Sequence, residues 1–204
     1  MALNGWSRAR SRRLSGADAN WEKADMGSPT NAFAFLIETV FHLYLVVIML
    51  RVLLEASRAD FYNPVVQVLV RLTDPLLRPL GKLVPNIGRI NTAGVIALYL
   101  LQLISLIILV AISGQTPDPM VLALLALLRL MRMLLVLYMI LIIIGVILSW
   151  VGHGVRHPIV PLVFQLTDPV LEPIRRVLPS LGGIDLSPLV AIIGIQFLII
   201  LLGL

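Results

Sequence analysis

Two Thr-Asp-Pro triplets, Thr73–Pro75 and Thr167–Pro169, have the clearest capacity for chemistry in this chain. A carboxylate placed directly before a proline can accept hydrogen bonds from free backbone amides at a helix start, or it can bind a cation or a basic partner. The triplets lie in related strings, LTDPLLRPLGKLVP at 72–85 and LTDPVLEPIRRVLP at 166–179. A shift of 94 residues aligns the strings and their flanks, with 11 of 32 positions identical. The sequence therefore predicts an internal duplication.

Helix-capping chemistry predicts a short helix before each triplet and a second helix start inside it. Asn63 followed by Pro64 is typical of a helix N-terminus. Because Pro75 disfavours helical geometry at Asp74, we expect this helix to stop near Leu72 and the carboxylate to cap a new start. Such a helix would be about 13 Å long, too short to cross a bilayer, so it would be interfacial or re-entrant.

Polar side chains along these segments form two candidate functional loops. In the first segment they recur every three or four residues, which places them in one stripe on an aliphatic helix. The simpler interpretation is an interfacial brace for a helix hairpin. The alternative is that the two loops face each other and line a polar path or a docking surface. The candidates are Asn63, Gln67, Arg71, Thr73, Asp74, Pro75, Pro79 and Pro85, with His157, Gln165, Thr167, Asp168, Pro169, Pro173, Pro179 and Asp185.

Composition places these loops in a membrane protein, because 59% of the residues are hydrophobic and only 13% are charged. Apolar stretches at 33–54, 93–112, 133–151 and 186–204 are long enough to cross a bilayer. A helical approach from residue 119 precedes the third stretch, either at the interface or inside one tilted helix. We predict an all-α membrane protein with four transmembrane helices in two tandem hairpin repeats, each with a short interfacial or re-entrant Thr-Asp-Pro helix.

The predicted domain plan has four parts. Residues 1–25 form a basic, disordered leader, 26–112 the first membrane repeat, 113–132 a connecting segment and 133–204 the second repeat. The leader is also compatible with binding to nucleic acid or anionic lipid, and Met26 could be the true start. We favour the disordered leader and expect no nucleic-acid partner.

Four polar residues within the apolar stretches are further candidates. Glu38 and His42 lie one turn apart, and they could pair or relay protons. Gln102 and Gln196 are 94 residues apart, as the triplets are, which favours a hydrogen bond between the two helices that carry them.

Catalytic and cofactor chemistry is not predicted. The chain has no cysteine, and it shows no nucleophile and base pair, phosphate-binding glycine loop or metal-ligand cluster. We therefore expect a protein that is not an enzyme and that carries no metal or cofactor.

These motifs resemble a known family. The string RVLLEASRADFYNPVVQVLVRLTDPLLRPLGKLVP from Arg51, with Ile184–Pro188 in the second half, is similar to the YggT family of small bacterial membrane proteins, related to the YlmG and CCB3 proteins of plastids. The resemblance covers Phe33 to the end. It implies a role in the cell envelope, connected with osmotic stress and potassium homeostasis, division or cytochrome maturation. The first copy departs from the pattern at Gly88–Asn91, where the second has Gly182–Asp185, and so lacks the second acidic cap.

Two functions remain open at this stage. The first is a scaffold or assembly factor in the bacterial inner membrane that docks another membrane protein, a cytoplasmic protein or a second copy of itself. The second is a small channel or transporter subunit for potassium or osmolytes. A water-filled cavity lined by both loops would favour transport. The distribution of lysine and arginine places both loops in the cytoplasm if translation begins at Met26.

Overall fold

The computed structural model describes residues 29–85, 91–114, 116–151, 157–178 and 185–203, and within these ranges the regular structure is entirely helical. The leader at 1–25, Met26 and Pro179 lie outside the described residues. The six helices are α1 (Pro29–Ala56), α2 (Pro64–Leu83), α3 (Thr92–Ser113), α4 (Pro119–Val151), α5 (Ile159–Val177) and α6 (Ser187–Leu201).

Three helices are long and apolar enough to cross a membrane: α1, α3 and α4. The sequence predicted a fourth crossing at 186–204. There α6 has 15 residues, about 22 Å of helix, against a hydrocarbon core of about 30 Å. The all-α prediction is confirmed, and the fourth crossing stays a prediction.

The predicted break before each Thr-Asp-Pro triplet is wrong. Helix α2 runs for 20 residues through Pro75 and Pro79, and α5 runs for 19 through Pro169 and Pro173. The Thr-Asp-Pro segments are therefore parts of long amphipathic helices rather than short separate pieces, and Asp74 lies in a helix interior, not at a helix start.

Side-chain hydrogen bonds reinforce α2 around its first internal proline. Pro75 has no N–H, so the Arg71 carbonyl, four residues earlier, loses its backbone donor and this turn is weakened. The hydroxyl of Thr73 donates to the Leu69 carbonyl at 2.7 Å, and the Tyr44 hydroxyl donates to the Leu72 carbonyl at 3.3 Å. In the second triplet Thr167 donates to a carbonyl four residues earlier, at 2.9 Å. In α2 these bonds, from its own threonine and from α1, hold carbonyls on either side of Arg71 and so reinforce the weakened turn.

Helix α4 also continues where the sequence predicted a boundary. It has 33 residues, so the predicted connecting segment 113–132 and the second repeat share one helix. Arg129 and Arg132 fall inside it without ending it, since arginine is a good helix former. This is the single long helix that the sequence left as an alternative.

The core is formed by α1 and α4 with the helices that pack on them. Helix α1 packs on α2 and α3, and α4 packs on α3, α5 and α6. Leu45 and Ile48 of α1 are almost fully buried in one cluster, and Ile142 of α4 is buried in another with Ile195 of α6. Helix α1 also touches α5, so the first and last three helices form one packed unit.

Candidate functional site

The first Thr-Asp-Pro triplet is held by an arginine of another helix. Arg51 of α1 forms an ion pair with Asp74 of α2, Nη1 to Oδ1 at 2.7 Å, and its Nη1 also donates to the Thr73 hydroxyl at 2.6 Å. Its Nε pairs with Glu55 one turn further along α1 at 2.8 Å. The Arg51 side chain is only 12% exposed, so these bonds form in partly dehydrated surroundings where charged hydrogen bonds are strong.

Asn91 extends this network to α3. Its Oδ1 accepts a hydrogen bond from the Gly94 amide at 2.9 Å and so caps α3, while its Nδ2 donates to Glu55 Oε2 at 2.6 Å. The first copy thus has a cap at this position, supplied by an amide instead of a carboxylate. The network links α1, α2 and α3 at one end of the bundle.

The second triplet has a similar network built from different positions. Arg175 of α5 pairs with Asp168 at 3.2 Å and with Asp185 at 2.9 Å. The Asp185 carboxylate also accepts hydrogen bonds from the amide and hydroxyl of Ser187, the first residue of α6, at 2.9 and 2.5 Å. One arginine again joins the triplet aspartate to the start of the following helix.

The two networks take their arginine from different helices. It comes from α1 in the first network and from the Thr-Asp-Pro helix α5 in the second. With the shift of 94 residues, Arg51 corresponds to Gly145 and Arg175 corresponds to Gly81. Each network contains one arginine and two carboxylates, so the charge balance is the same. Neither arginine stands out when equivalent positions of the two copies are compared, because each faces a glycine there. The signal in the sequence is that each copy has an arginine where the other copy has a glycine, at Arg51 and Gly145 and at Arg175 and Gly81.

Titration of the second network follows from these contacts. Partial burial alone would raise the pKa of Asp185, but the hydrogen bonds from Ser187 and the ion pair with Arg175 outweigh it and hold that pKa below its usual range. Burial would lower the pKa of Arg175, yet its two carboxylate partners raise it. Both groups therefore keep their charges at neutral pH.

The remaining loop candidates have simpler places. Asn63 caps α2 as predicted, accepting from the Val65 amide at 2.9 Å, and its Nδ2 donates to the Pro158 carbonyl at 2.7 Å. This bond joins the starts of α2 and α5. Pro85 accepts a hydrogen bond from Thr92 at its carbonyl. The other candidates are exposed: Gln67, Arg71, Pro75, Pro79, Pro85, His157, Gln165, Pro169 and Pro173.

Cavities of about 550 and 490 Å³ lie at this end of the described chain. The larger is lined by residues of α1, α2 and the start of α3, and the smaller by residues of α2. Arg71, Arg78 and Lys82 of α2 border the smaller one and form an exposed basic face. The polar stripe predicted from the sequence, which includes Arg71, therefore continues along α2 to Arg78 and Lys82.

The polar residues inside the apolar helices find other surroundings than predicted. Glu38 pairs with Arg129 of α4 at 3.2 Å, not with His42. Gln102 is buried, with 4% exposure, whereas Gln196 is exposed on α6. The predicted hydrogen bond between the two glutamines is therefore wrong, because the two side chains lie in different environments.

Substitution of Asp74 distinguishes an ion pair from a helix cap. A cap would tolerate asparagine, which keeps an acceptor oxygen. Because Asp74 neutralises a largely buried arginine, we expect Asp74→Asn and Asp74→Ala to lower the melting temperature of the detergent-solubilised protein by similar amounts, about 1–3 kcal/mol in stability. The matched cap variants at Asn63 should separate, with Asn63→Asp mild and Asn63→Ala about 1 kcal/mol less stable. A mild Asp74→Asn variant would contradict the ion-pair account.

The fold and these networks define a small all-helical protein with helices of membrane-spanning length and two amphipathic helices braced by ion pairs. The CCB3/YggT family model matches this chain at residues 30–112 and 124–204. The chain belongs to the CCB3/YggT family.

Relatives with high identity are bacterial. A Vibrio alginolyticus protein described as an uncharacterized protein in the proC 3' region is 42% identical over 175 residues, which is 85% of this chain and 94% of the relative. The uncharacterized protein YggT of Escherichia coli K12 is 39% identical over 163 residues, 80% of this chain and 85% of the relative. The uncharacterized protein PA0392 of Pseudomonas aeruginosa is 37% identical over 169 residues, 82% and 86% respectively. No solved structure matches the chain significantly.

Proposed function

We propose that this protein is a non-enzymatic, multi-pass scaffold of the bacterial cytoplasmic membrane that holds a partner protein on its Thr-Asp-Pro helices. The observation that carries the proposal is the ion pairing of both triplet aspartates. Asp74 pairs with Arg51 and so ties α2 to α1, and Asp168 pairs with Arg175 of its own helix, which also pairs with Asp185 before α6. Rigid bracing favours a docking surface, because a preformed surface loses less entropy on binding.

We also propose that the chain consists of two tandem membrane repeats. The two family matches begin 94 residues apart, at 30 and 124, which equals the spacing of the triplets. This supports two tandem repeats, with α6 as the fourth crossing. An even number of crossings per repeat would place both amphipathic helices on one side, which we assign to the cytoplasm from the lysines and arginines.

The partner surface is the basic face of α2. Arg71, Arg78 and Lys82 are exposed, whereas the corresponding part of α5 has Glu172 as well as basic residues. An acidic segment of another membrane or cytoplasmic protein fits this charge. Participation in envelope or osmotic homeostasis, which the family resemblance implies, would follow through that partner.

Site-specific photocrosslinking tests the scaffold. We expect a photoreactive residue at position 78, in cells that express the protein at its native level, to give one protein adduct of discrete mass. Arg71→Gln with Lys82→Gln should abolish that adduct, since its binding charge is removed. The control is the same probe at exposed Val95 of α3, which should give no such adduct. Identical products at both positions would contradict docking on α2.

A small channel or transporter subunit is the alternative, and one observation favours it. Glu38, His42 and Arg129 border a cavity among α1, α3 and α4. Potassium flux through proteoliposomes of the purified protein, above that of empty vesicles, would support this alternative. The scaffold proposal expects no such flux.

A further inference from the structure

A polar groove lies among α1, α3 and α4, away from the Thr-Asp-Pro helices. Its volume is about 480 Å³, within the usual range for small-molecule sites. Along α1, Glu38 at the groove is 17 residues from Glu55 in the first ion-pair network, about 25 Å of helix. The polar lining residues are Glu38, His42, Gln102, Ser105, Arg129 and Arg132, and the rest of the wall is aliphatic or methionine.

Gln102 gives the first sign of a ligand. It lies halfway along the 22-residue apolar helix α3, is 4% exposed, lines the groove, and makes no side-chain hydrogen bond within the described part of the chain. Ser105, one turn further, is 3% exposed and equally without a side-chain partner there. No fully buried side-chain N or O atom of the described chain lacks a partner, so the amide and the hydroxyl reach the open space of the groove, where an occupant can bond to both.

Charge identifies the chemistry of that occupant. Glu38 and Arg129 neutralise each other across the groove. Arg132 borders the same space and has no ion pair among the described residues, so the groove carries one uncompensated positive charge when His42 is neutral. Charged side chains within apolar helices usually mark a functional site. An anionic group fits beside Arg132.

The apolar residues that line the groove indicate the chemistry of the remainder of the occupant. Leu45, Leu137 and Ile140 contribute to a lining that is apolar over most of its area. A small hydrophilic anion would leave these walls in contact with water, whereas a hydrocarbon chain would cover them. A single-chain lipid supplies the chain, the anionic head and a hydroxyl or carbonyl group between them.

We propose that the groove binds an anionic single-chain lipid with its phosphate or carboxylate at Arg132, its hydroxyl or carbonyl at Gln102 and Ser105, and its chain along the aliphatic wall. The protein would thereby bind a membrane-derived lipid at a site separate from the Thr-Asp-Pro helices. The site does not depend on the scaffold proposal, because it uses none of the same residues.

Native mass spectrometry of the full chain in an uncharged detergent tests this site with oleoyl lysophosphatidate as the probe. We expect one bound molecule per chain, displaced by oleate but not by inorganic phosphate, which has the charge without the chain. Lysophosphatidylcholine, whose head has no net charge, should bind at least tenfold more weakly. Displacement by inorganic phosphate at comparable concentration would show a simple anion site and overturn the lipid assignment.

Three variants locate the binding. Arg132→Gln should weaken lysophosphatidate binding about tenfold and leave the weak lysophosphatidylcholine binding unchanged. Gln102→Leu should weaken lysophosphatidate binding several-fold. Ile140→Trp changes a half-exposed wall residue, so it should block the chain without lowering the melting temperature. The matched control is Arg176→Gln, an exposed arginine of α5 outside the groove, which should bind as the parent does. Unchanged binding in folded Arg132→Gln and Ile140→Trp would overturn the proposal.

Discussion

Arg51→Ala should destabilise the protein by about 3 kcal/mol, because it leaves Glu55 and Asp74 without their shared cation. The carboxylate side chains are only 17% and 32% exposed, so water replaces the lost partner poorly. The measurement is the melting temperature or denaturant midpoint of the protein in mild detergent. Arg175→Ala is the matched comparison: its side chain is 37% exposed, and the loss should be clearly smaller.

The second network indicates how to rescue that variant. Arg175 lies seven residues after Asp168, and Gly81 lies seven residues after Asp74. An added Cβ at Gly81 has only the Ala93 Cβ as a near neighbour, at 4.0 Å, so an arginine has room there. We expect Arg51→Ala with Gly81→Arg to recover part of the lost stability.

A gain in helix propensity must be separated from the restored charge. Replacing Gly81 with alanine gains about 1 kcal/mol of propensity and adds no cation. Arg51→Ala with Gly81→Ala is therefore the control, and it should recover less than the arginine variant. Equal recovery by both would show that the exchanged arginines of the two networks are not interchangeable.

Gly94→Ala should destabilise the packing of α1 against α3 by about 1–3 kcal/mol. Gly94 is buried, and a Cβ at this position would overlap the Val52 Cγ2 methyl. Val52 is itself buried in α1, so its short branched side chain has little freedom to move away. Thermal unfolding in detergent measures the effect.

Two variants make the steric origin testable. Val52→Ala removes the overlapping methyl, so Val52→Ala with Gly94→Ala should be more stable than the sum of the single changes predicts. Gly194→Ala adds the same methyl to α6 where nothing lies within 4 Å, and it should be neutral or slightly stabilising. A destabilising Gly194→Ala, or additive changes at Val52 and Gly94, would contradict the close-contact account.

The sequence by itself determined the features that depend on a few neighbouring residues. The apolar stretches became the helices α1, α3 and α4, since twenty apolar residues in succession have few alternatives in a bilayer. Asn63 before Pro64 marked the start of α2, because a cap forms within one turn.

Only the tertiary structure decided how the Thr-Asp-Pro triplets are used. The local rule for proline predicted a break at Asp74, but the helix continues through Pro75. Hydroxyls of Thr73 and Tyr44 reinforce the turn before it, and Arg51 of a neighbouring helix pairs with the aspartate. Packing also decided the place of Gln102. This residue lines a groove, whereas Gln196, its equivalent in the second copy, is exposed. Partners that lie on other helices are fixed by packing, which the spacing of residues along one chain does not encode.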